Sequence, residues 1–465
     1  MEQRRFQVLC ACLLGVGQLC MQTAFDAESF ILESVIHSIH ERDPGRIGLH
    51  AGYYGQSVIY GTCLITCLLT PSIMNFCVPK VILIIASICY AVFPAGFLFL
   101  NSYFYFFSTA LLGIGRALFR LGQTTYLTSH STRQSIESNV SLSAAIGSCS
   151  FFMSSAILAA ITYFTAGDQN SSSPKFERTF SDLEIRLLST ILIVVSIVAV
   201  IIMFLIPSED AENCIEKSEK QGNCLADLKL TMATVVSPIV LQLVPMTILS
   251  GFNASFFLSI FPTAINFNNH NSHLIYAPAV YSLGSGIGEV IMGGIASILS
   301  KRIRGFGMKP TMVIGAVTVT VYCALVHIST PFEAPMRPTD KAPLLINQSY
   351  PLILLIAVIC GISDCCLNNV RSVICVLILP GRRAQSVSVS RMFHSAACVV
   401  CFFFSPITPL YIYTMSLPLM ALISTFIFFR VANNVTAAEE RVKTRNSSQQ
   451  TSDSTEQSIQ IQTMC

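Results

Sequence analysis

The chain has 465 residues, of which 52% are apolar and only 11% are charged, and its mean hydropathy is +0.63. A soluble globular protein carries about 25% charged residues, so this composition excludes that class and indicates a membrane protein. The net charge of +3 is too small to favour nucleic acid as a partner. The lipid bilayer is therefore the first partner that the composition predicts.

Twelve apolar segments follow one another, each of about 20 residues, which is the length that crosses a bilayer as a helix. We number them span one to span twelve. They are predicted at 6–25, 51–73, 78–100, 103–126, 140–164, 184–206, 237–261, 278–299, 310–329, 350–372, 385–406 and 410–430. The predicted fold is an all-α polytopic membrane protein, with both termini on the same side of the membrane.

Lysine and arginine indicate which side that is. The segments on the side of the termini carry most of the basic residues outside the spans, whereas the opposite loops hold few. The few are Arg42, Arg46, Lys175, Arg178, Arg186, Arg337 and Lys341. By the positive-inside rule both termini are predicted in the cytoplasm, and the plasma membrane and endolysosomal membranes are both compatible with this topology. Sequons at Asn170 and Asn347 fall in opposite-side loops and are predicted glycosylation sites.

A polar segment at 208–233 divides the spans into two sets of six. We therefore predict an N-terminal six-helix bundle at 1–207, a cytoplasmic linker at 208–233 and a C-terminal six-helix bundle at 234–430. The tail at 431–465 is rich in Ser, Thr and Gln and is predicted to be disordered.

An internal repeat supports this division. The sequence LGIGR at 112–116 in span four is matched by CGISD at 360–364 in span ten. At nearly the same offset, NVSLS at 139–143 is matched by SVSVS at 386–390. Since many transporters consist of duplicated bundles, the matches predict a six-plus-six duplication.

Several charged and polar side chains fall inside predicted spans. An ionised group at the bilayer centre costs about 2.5 to 3.5 kcal/mol, so we expect these side chains to face the protein interior. The candidates for a central cavity or charge network are Arg116, Arg120, Gln123, Glu289, Asp364, Asn368, Arg371, Arg391 and His394. They either pair between helices and stabilise packing or line a cavity, where the excess of arginine would favour an anionic ligand.

Two of these residues match in the repeat and in depth. Because an unpaired charge at that depth is costly, we expect Arg116 and Asp364 to approach each other across the cavity, directly or through a water. Glu289 is the competing partner for Arg116. Burial could also make Glu289 or Asp364 a proton site.

Four sequence blocks carry a resemblance to a known family. They are GYYGQSVIYG at 52–61, LGIGRALFRLGQTTYLT at 112–128, SGIGE at 285–289 and CGISDCCLN at 360–368. Over about 18–429 the chain resembles the uncoordinated-93-like family of the major facilitator superfamily, and within it the branch of major facilitator superfamily domain-containing protein eleven. The resemblance implies a major-facilitator fold of two pseudo-repeated six-helix bundles.

The resemblance implies one of two functions. The first is transport of a small organic solute by alternating access, for which the excess of arginine favours an anionic solute. The second is a non-transporting role as regulatory subunit or trafficking chaperone of an ion channel or receptor, since relatives are described as potassium-channel regulatory subunits and as trafficking chaperones for innate immune receptors. The partner is accordingly either a small solute or a membrane protein.

The sequence offers no basis for catalysis or for a cofactor. It contains no Ser-His-Asp set, P-loop or zinc-hydrolase helix, so we do not expect an enzyme. His394, Cys398 and Cys401 share a helix face that a soft metal could accept. Cysteine, however, packs like a small apolar residue, and we predict neither a metal nor another cofactor.

Overall fold

The computed structural model describes residues 2–73, 77–98, 101–132, 134–169, 180–210, 214, 224–302, 308–379, 382–434 and 437. Among these residues, twelve helices are long and apolar enough to cross a membrane. In chain order they are Gln3–Ser29, Ala51–Ile73, Pro79–Leu98, Ser102–Ser129, Ile136–Thr165, Asp182–Leu205, Val244–Asn266, Ala277–Leu299, Lys309–Ser329, Tyr350–Ile378, Arg383–Ile407 and Leu410–Asn434. The prediction of a twelve-span, all-helical membrane protein is confirmed.

Shorter helices lie between and within the spans. Leu32–Arg42 follows span one, while Cys224–Val235 and Pro238–Leu241 precede span seven. Span seven contains a π-helical turn at Phe256–Ile260. Asn269–Asn271 and Ser405–Ile407 form 3-10 turns.

The predicted boundary of span one is wrong. We placed its end at residue 25 and the following loop at 26–50, yet the first helix continues to Ser29 and is followed almost at once by Leu32–Arg42. All residues from Leu32 to Ile39 are buried. Asp26, Glu28 and Glu33 lower the mean hydropathy of this region, although the fold encloses their side chains. A hydropathy window therefore ends the span too early.

The helix Leu32–Arg42 is attached to the bundle through its one fully buried acid. Glu33 Oε2 accepts a hydrogen bond from the backbone N–H of Tyr53, 2.9 Å away, in the first turn of span two. The N–H groups of a first helical turn have no partner within their own helix. Glu33 satisfies one of them and holds the segment against span two.

Two equivalent glycines show the duplication in three dimensions. A Cβ added to Gly113 in span four would lie 2.1 Å from the carbonyl oxygen of Ile59 in span two. A Cβ added to Gly361 in span ten would lie 2.3 Å from the carbonyl oxygen of Ser285 in span eight. Only glycine permits such close helix crossings. The crossing of spans two and four is thus repeated, six spans later, by spans eight and ten.

The segment predicted as a polar linker at 208–233 is helical in its last part. The helix Cys224–Val235 packs against spans two and eleven, which belong to different predicted bundles. The predicted tail lies outside the described residues from 435 onward, apart from residue 437. Span twelve itself extends to Asn434.

We call the end of the bundle where span one begins the terminal end, and the opposite end the remote end. Spans five and eight are joined in the remote half, where Ser155 Oγ donates to the Ala279 carbonyl and Ser282 Oγ to the Phe151 carbonyl, both at 2.8 Å. Aromatic rings from four spans or their ends pack at this level. They are Phe30, Phe151, Phe257 and Tyr281. These contacts close the remote half.

The same two spans are separated in the terminal half. Gly286 and Gly293 of span eight are seven residues apart and so lie on one helix face. A Cβ added to Gly286 would lie 2.9 Å from Phe151 Cβ of span five, whereas one added to Gly293 would have no described atom within 4 Å. Spans five and eight therefore diverge toward the terminal end.

Candidate functional site

Four arginines lie within electrostatic range of one histidine at mid-height of the bundle. The charges of Arg116, Arg120, Arg371 and Arg391 all act on His394 of span eleven. They come from spans four, ten and eleven, and therefore from both predicted bundles. Like charges at short range disfavour one another, so the protein holds these groups together by other contacts.

Aromatic rings hold Arg116. Its guanidinium carbon lies 3.9 Å from the centre of the Phe25 ring and 5.3 Å from that of the Tyr60 ring. Nη2 donates a long hydrogen bond of 3.5 Å to the Tyr60 hydroxyl. Cation–π contact stabilises a desolvated guanidinium and leaves the N–H groups at its edge available. Nη1 is buried and has no hydrogen-bond partner among the described residues.

A chain of hydrogen bonds holds Arg371. Its Nη2 donates to Asn368 Oδ1 at 2.7 Å, and Asn368 Nδ2 donates to Asp364 Oδ2, also at 2.7 Å. Asn253 Nδ2 of span seven donates to Asp364 Oδ1 at 3.4 Å. Arg371 is only 8% exposed, and its Nε and Nη1 have no partner within the described part of the chain.

Asp26 is a member of the site that sequence reasoning missed. Its Oδ2 accepts a hydrogen bond of 2.8 Å from Ser150 Oγ, near the midpoint of span five. The charges of Arg116 and Arg120 act on it. Asp26 directly follows the last residue of predicted span one. The hydropathy pattern therefore assigned it to the next loop.

The remaining predicted residues are divided between the site and its surroundings. Arg391 and Glu289 are half-buried, and Glu289 faces Ser148 of span five. Gln123 instead donates to Gln18 Oε1 at 2.6 Å and connects spans four and one. Gln123 is thus used in helix packing.

The expected direct pairing of Arg116 with Asp364 is absent. Within the described residues neither group makes an ion pair, and Asp364 accepts its hydrogen bonds from Asn253 and Asn368. The reason is that equivalence in a repeat gives two residues the same place in their own bundles. It does not bring them into contact.

The site is only partly enclosed by the bundle. His394, Asp364 and three of the four arginines are half-buried although they lie at mid-height. The remote half is closed by aromatic packing, and spans five and eight diverge toward the terminal end. The site is therefore enclosed less completely than the remote half, on the side where spans five and eight separate.

The other predicted sites are the two sequons and the helix face that contains Cys398. Asn347 is exposed in the segment between spans nine and ten, and Asn170 lies outside the described residues. Cys398 Sγ donates to the Gly251 carbonyl at 3.3 Å. No group of three metal-ligating side chains occurs in the described ranges.

Comparison with known proteins decides the family. The sequence model of the family described as "Ion channel regulatory protein UNC-93" matches residues 43–429. The chain belongs to the UNC-93 family. A curated member, the UNC93-like protein MFSD11 of Xenopus laevis, is 23% identical over 441 residues, which cover 90% of this chain and 94% of that protein.

Solved structures agree with this UNC-93 chain in fold. The nucleoside transporter NupG has a TM-score of 0.58 at 14% identity and covers 91% of this chain, which in turn covers 99% of NupG. A peptide transporter of the POT type has a TM-score of 0.62 at 11% identity, with 91% and 94% coverage. At these identities the comparisons show a shared major-facilitator fold.

Proposed function

We propose that this UNC-93 chain carries a small anionic organic solute across the membrane by alternating access. The observation that carries the proposal is the arrangement of Arg116, Arg120, Arg371 and Arg391 around His394 without an ion pair to any described carboxylate. Guanidinium groups with unused donors in a partly desolvated site form strong, charge-assisted hydrogen bonds to anions. Carboxylates and phosphates are therefore the preferred ligand groups.

The depth profile of the bundle supports the proposed mechanism. In alternating access, two repeats rock about a central site, so that one end closes as the other opens. One state of this cycle requires two helices that are in contact at one end and separated at the other. Spans five and eight are in contact at the remote end and separated at the terminal end. In the cytoplasmic orientation that we propose for the termini, this is the state open to the cytoplasm.

The description of the family favours a second candidate. An ion channel regulatory protein would bind a channel or receptor within the membrane and transport nothing. The four arginines would then stabilise the bundle alone.

Metabolite profiling with matched variants distinguishes the two functions. Cells would produce the wild type, the double variant Arg116→Gln/Arg371→Gln or the control Arg337→Gln, which removes one exposed arginine from the remote surface. We expect anionic metabolites to change with the wild type and the control but not with the double variant. A stoichiometric membrane partner in mild detergent, together with unchanged metabolites, would instead establish the regulator.

The proposed orientation has its own test. A tag placed after residue 465 should be accessible to antibody only after the cell membrane is permeabilised. Asn347, which is exposed on the remote side, should carry a glycan that Asn347→Gln removes. Antibody access without permeabilisation would reverse the orientation.

A further inference from the structure

The site has unused hydrogen-bond donors on both bundles. Arg116 Nη1 belongs to span four, and Arg371 Nε and Nη1 belong to span ten; all three atoms are buried without a partner among the described residues. A buried donor without an acceptor costs about 1 to 3 kcal/mol, and more when it is charged. The two guanidinium groups therefore each require an acceptor.

The two groups are held in place independently. Arg116 is fixed by the rings of Phe25 and Tyr60, which lie on spans one and two. Arg371 is fixed by Asn368 and, through it, by Asp364, all on span ten. Because different residues fix the two guanidinium groups, an acceptor bound to one of them does not bring the other closer.

The carboxylates of the protein do not supply these acceptors. Asp26 accepts from Ser150, and Asp364 accepts from Asn253 and Asn368. Neither forms an ion pair within the described residues. Within the described residues no carboxylate is bonded to either guanidinium, so the acceptors that complete the site come from outside the chain, from water or, during transport, from the solute.

From these contacts we infer that the ligand carries two separate anionic groups, one bound by Arg116 and the other by Arg371, as in a small dicarboxylate. The inference rests on the proposed anion site and adds the number of charged groups on the ligand. Once one carboxylate is bound, the second binds as part of the same molecule at a high effective concentration. A dianion of matching length thus connects the two bundles.

Binding to the purified full-length chain in detergent tests the inference. The probes are acetate and the series malonate, succinate, glutarate and adipate, at neutral pH and constant ionic strength, measured by titration calorimetry and thermal shift. We expect one dicarboxylate to bind at least about tenfold more tightly than acetate. The affinity should depend on chain length because both arginines are fixed.

Single variants locate the two binding groups. Arg116→Gln and Arg371→Gln should each reduce the affinity of the best dicarboxylate to about that of acetate, while acetate itself, which can use the remaining arginine, changes little. Arg337→Gln, on the remote surface, should leave the whole series unchanged. If a glutamine variant does not fold, Arg116→Lys and Arg371→Lys keep the charge but remove donors, and they should lower the dicarboxylate preference.

The possible failures are distinguishable. If acetate binds as tightly as every dicarboxylate, the ligand has one anionic group and the inference is wrong, although the anion site stands. If no carboxylate binds the wild type, the dicarboxylate inference is wrong, and the metabolite profiling described above decides the proposed anion transport separately. The ratio of dicarboxylate affinity to acetate affinity, measured on the wild type, tests the inference even when no variant can be purified.

Discussion

The remote and terminal halves of the bundle contain the same twelve helices but are packed in opposite ways. In the remote half, rings such as Phe30 and Tyr281 are in contact, with centroids 5.2 Å apart, and Gly286 lies against Phe151. At mid-height and toward the terminal end, arginines are half-buried and Gly293 has open space. The arginines thus lie where the packing is more open, and the cluster of Phe30, Phe151, Phe257 and Tyr281 lies where it is closed. This difference is the structural basis for assigning the molecule to one state of a cycle.

The largest difference in stability is expected between leucine substitutions at the two glycine positions of span eight. Gly286→Leu places a side chain against Phe151 and should lower the free energy of unfolding by about 1 to 3 kcal/mol. Gly293→Leu should change it by less than about 0.5 kcal/mol, because its surroundings are open. Chemical denaturation of both purified variants compares the halves directly.

The same pair also tests the cycle. If the terminal ends of spans five and eight meet during transport, Gly293→Leu should retain stability but lose solute uptake. Equal destabilisation by both substitutions would show that the spans do not diverge.

Glu28 tests the closed half. Both of its carboxyl oxygens are buried and have no hydrogen-bond partner among the described residues. Replacing it with an apolar side chain of similar size, Glu28→Met, should raise the free energy of unfolding by about 1 to 3 kcal/mol. The exposed Glu137 in span five provides the control, and Glu137→Met should have little effect. A larger loss of stability for Glu28→Met than for Glu137→Met would mean that Glu28 has a partner.

Phe25 tests how the open half holds a cation. Phe25→Leu keeps an apolar side chain but removes the ring over Arg116, which should cost about 0.5 to 2 kcal/mol. A double-mutant cycle with Arg116→Met separates this contact from the general loss of packing. A coupling energy of zero would show that the ring does not stabilise the guanidinium.

The smallest effect is expected at the remote surface. Hydrogen bonds from Lys341 and Arg337 lower the pKa of Glu333, which is partly exposed to solvent. A lowered carboxyl pKa stabilises the fold above the ordinary pKa of the group, and this contribution is lost as the pH falls through the lowered value. Melting curves of the wild type and Glu333→Gln should therefore differ slightly at neutral pH and converge in acid. Parallel behaviour at every pH would exclude the contribution.

The sequence was sufficient for the fold because its signals are strong and local. Apolar segments long enough to cross a bilayer predicted all twelve spans, and the repeat at 112–116 and 360–364 predicted the duplication that Gly113 and Gly361 display. Charged residues inside apolar segments also predicted that the four arginines face the protein interior, because lipid-facing positions are too costly for them.

The partners of these charges could not be derived in the same way. Asp26 was missed because acidic residues end a hydropathy window even where the fold encloses them. The pairing of Arg116 with Asp364 failed because each group is stabilised within its own bundle, by Phe25 and Tyr60 or by Asn253 and Asn368. Such contacts depend on helix rotation, which spacing alone does not determine.

In the function that we propose, the arginines of both bundles form one anion site for transport. Vesicles containing the purified wild type, the double variant Arg116→Gln/Arg371→Gln or Arg337→Gln can be incubated with a mixture of labelled metabolites matched in size and differing in charge. Mass spectrometry of the vesicle contents then reports what has entered. We expect anionic metabolites to enter vesicles that contain the wild type or Arg337→Gln, and we expect the double variant to abolish their entry. Entry of neutral or cationic metabolites alone, or equal contents for all three proteins, would contradict it.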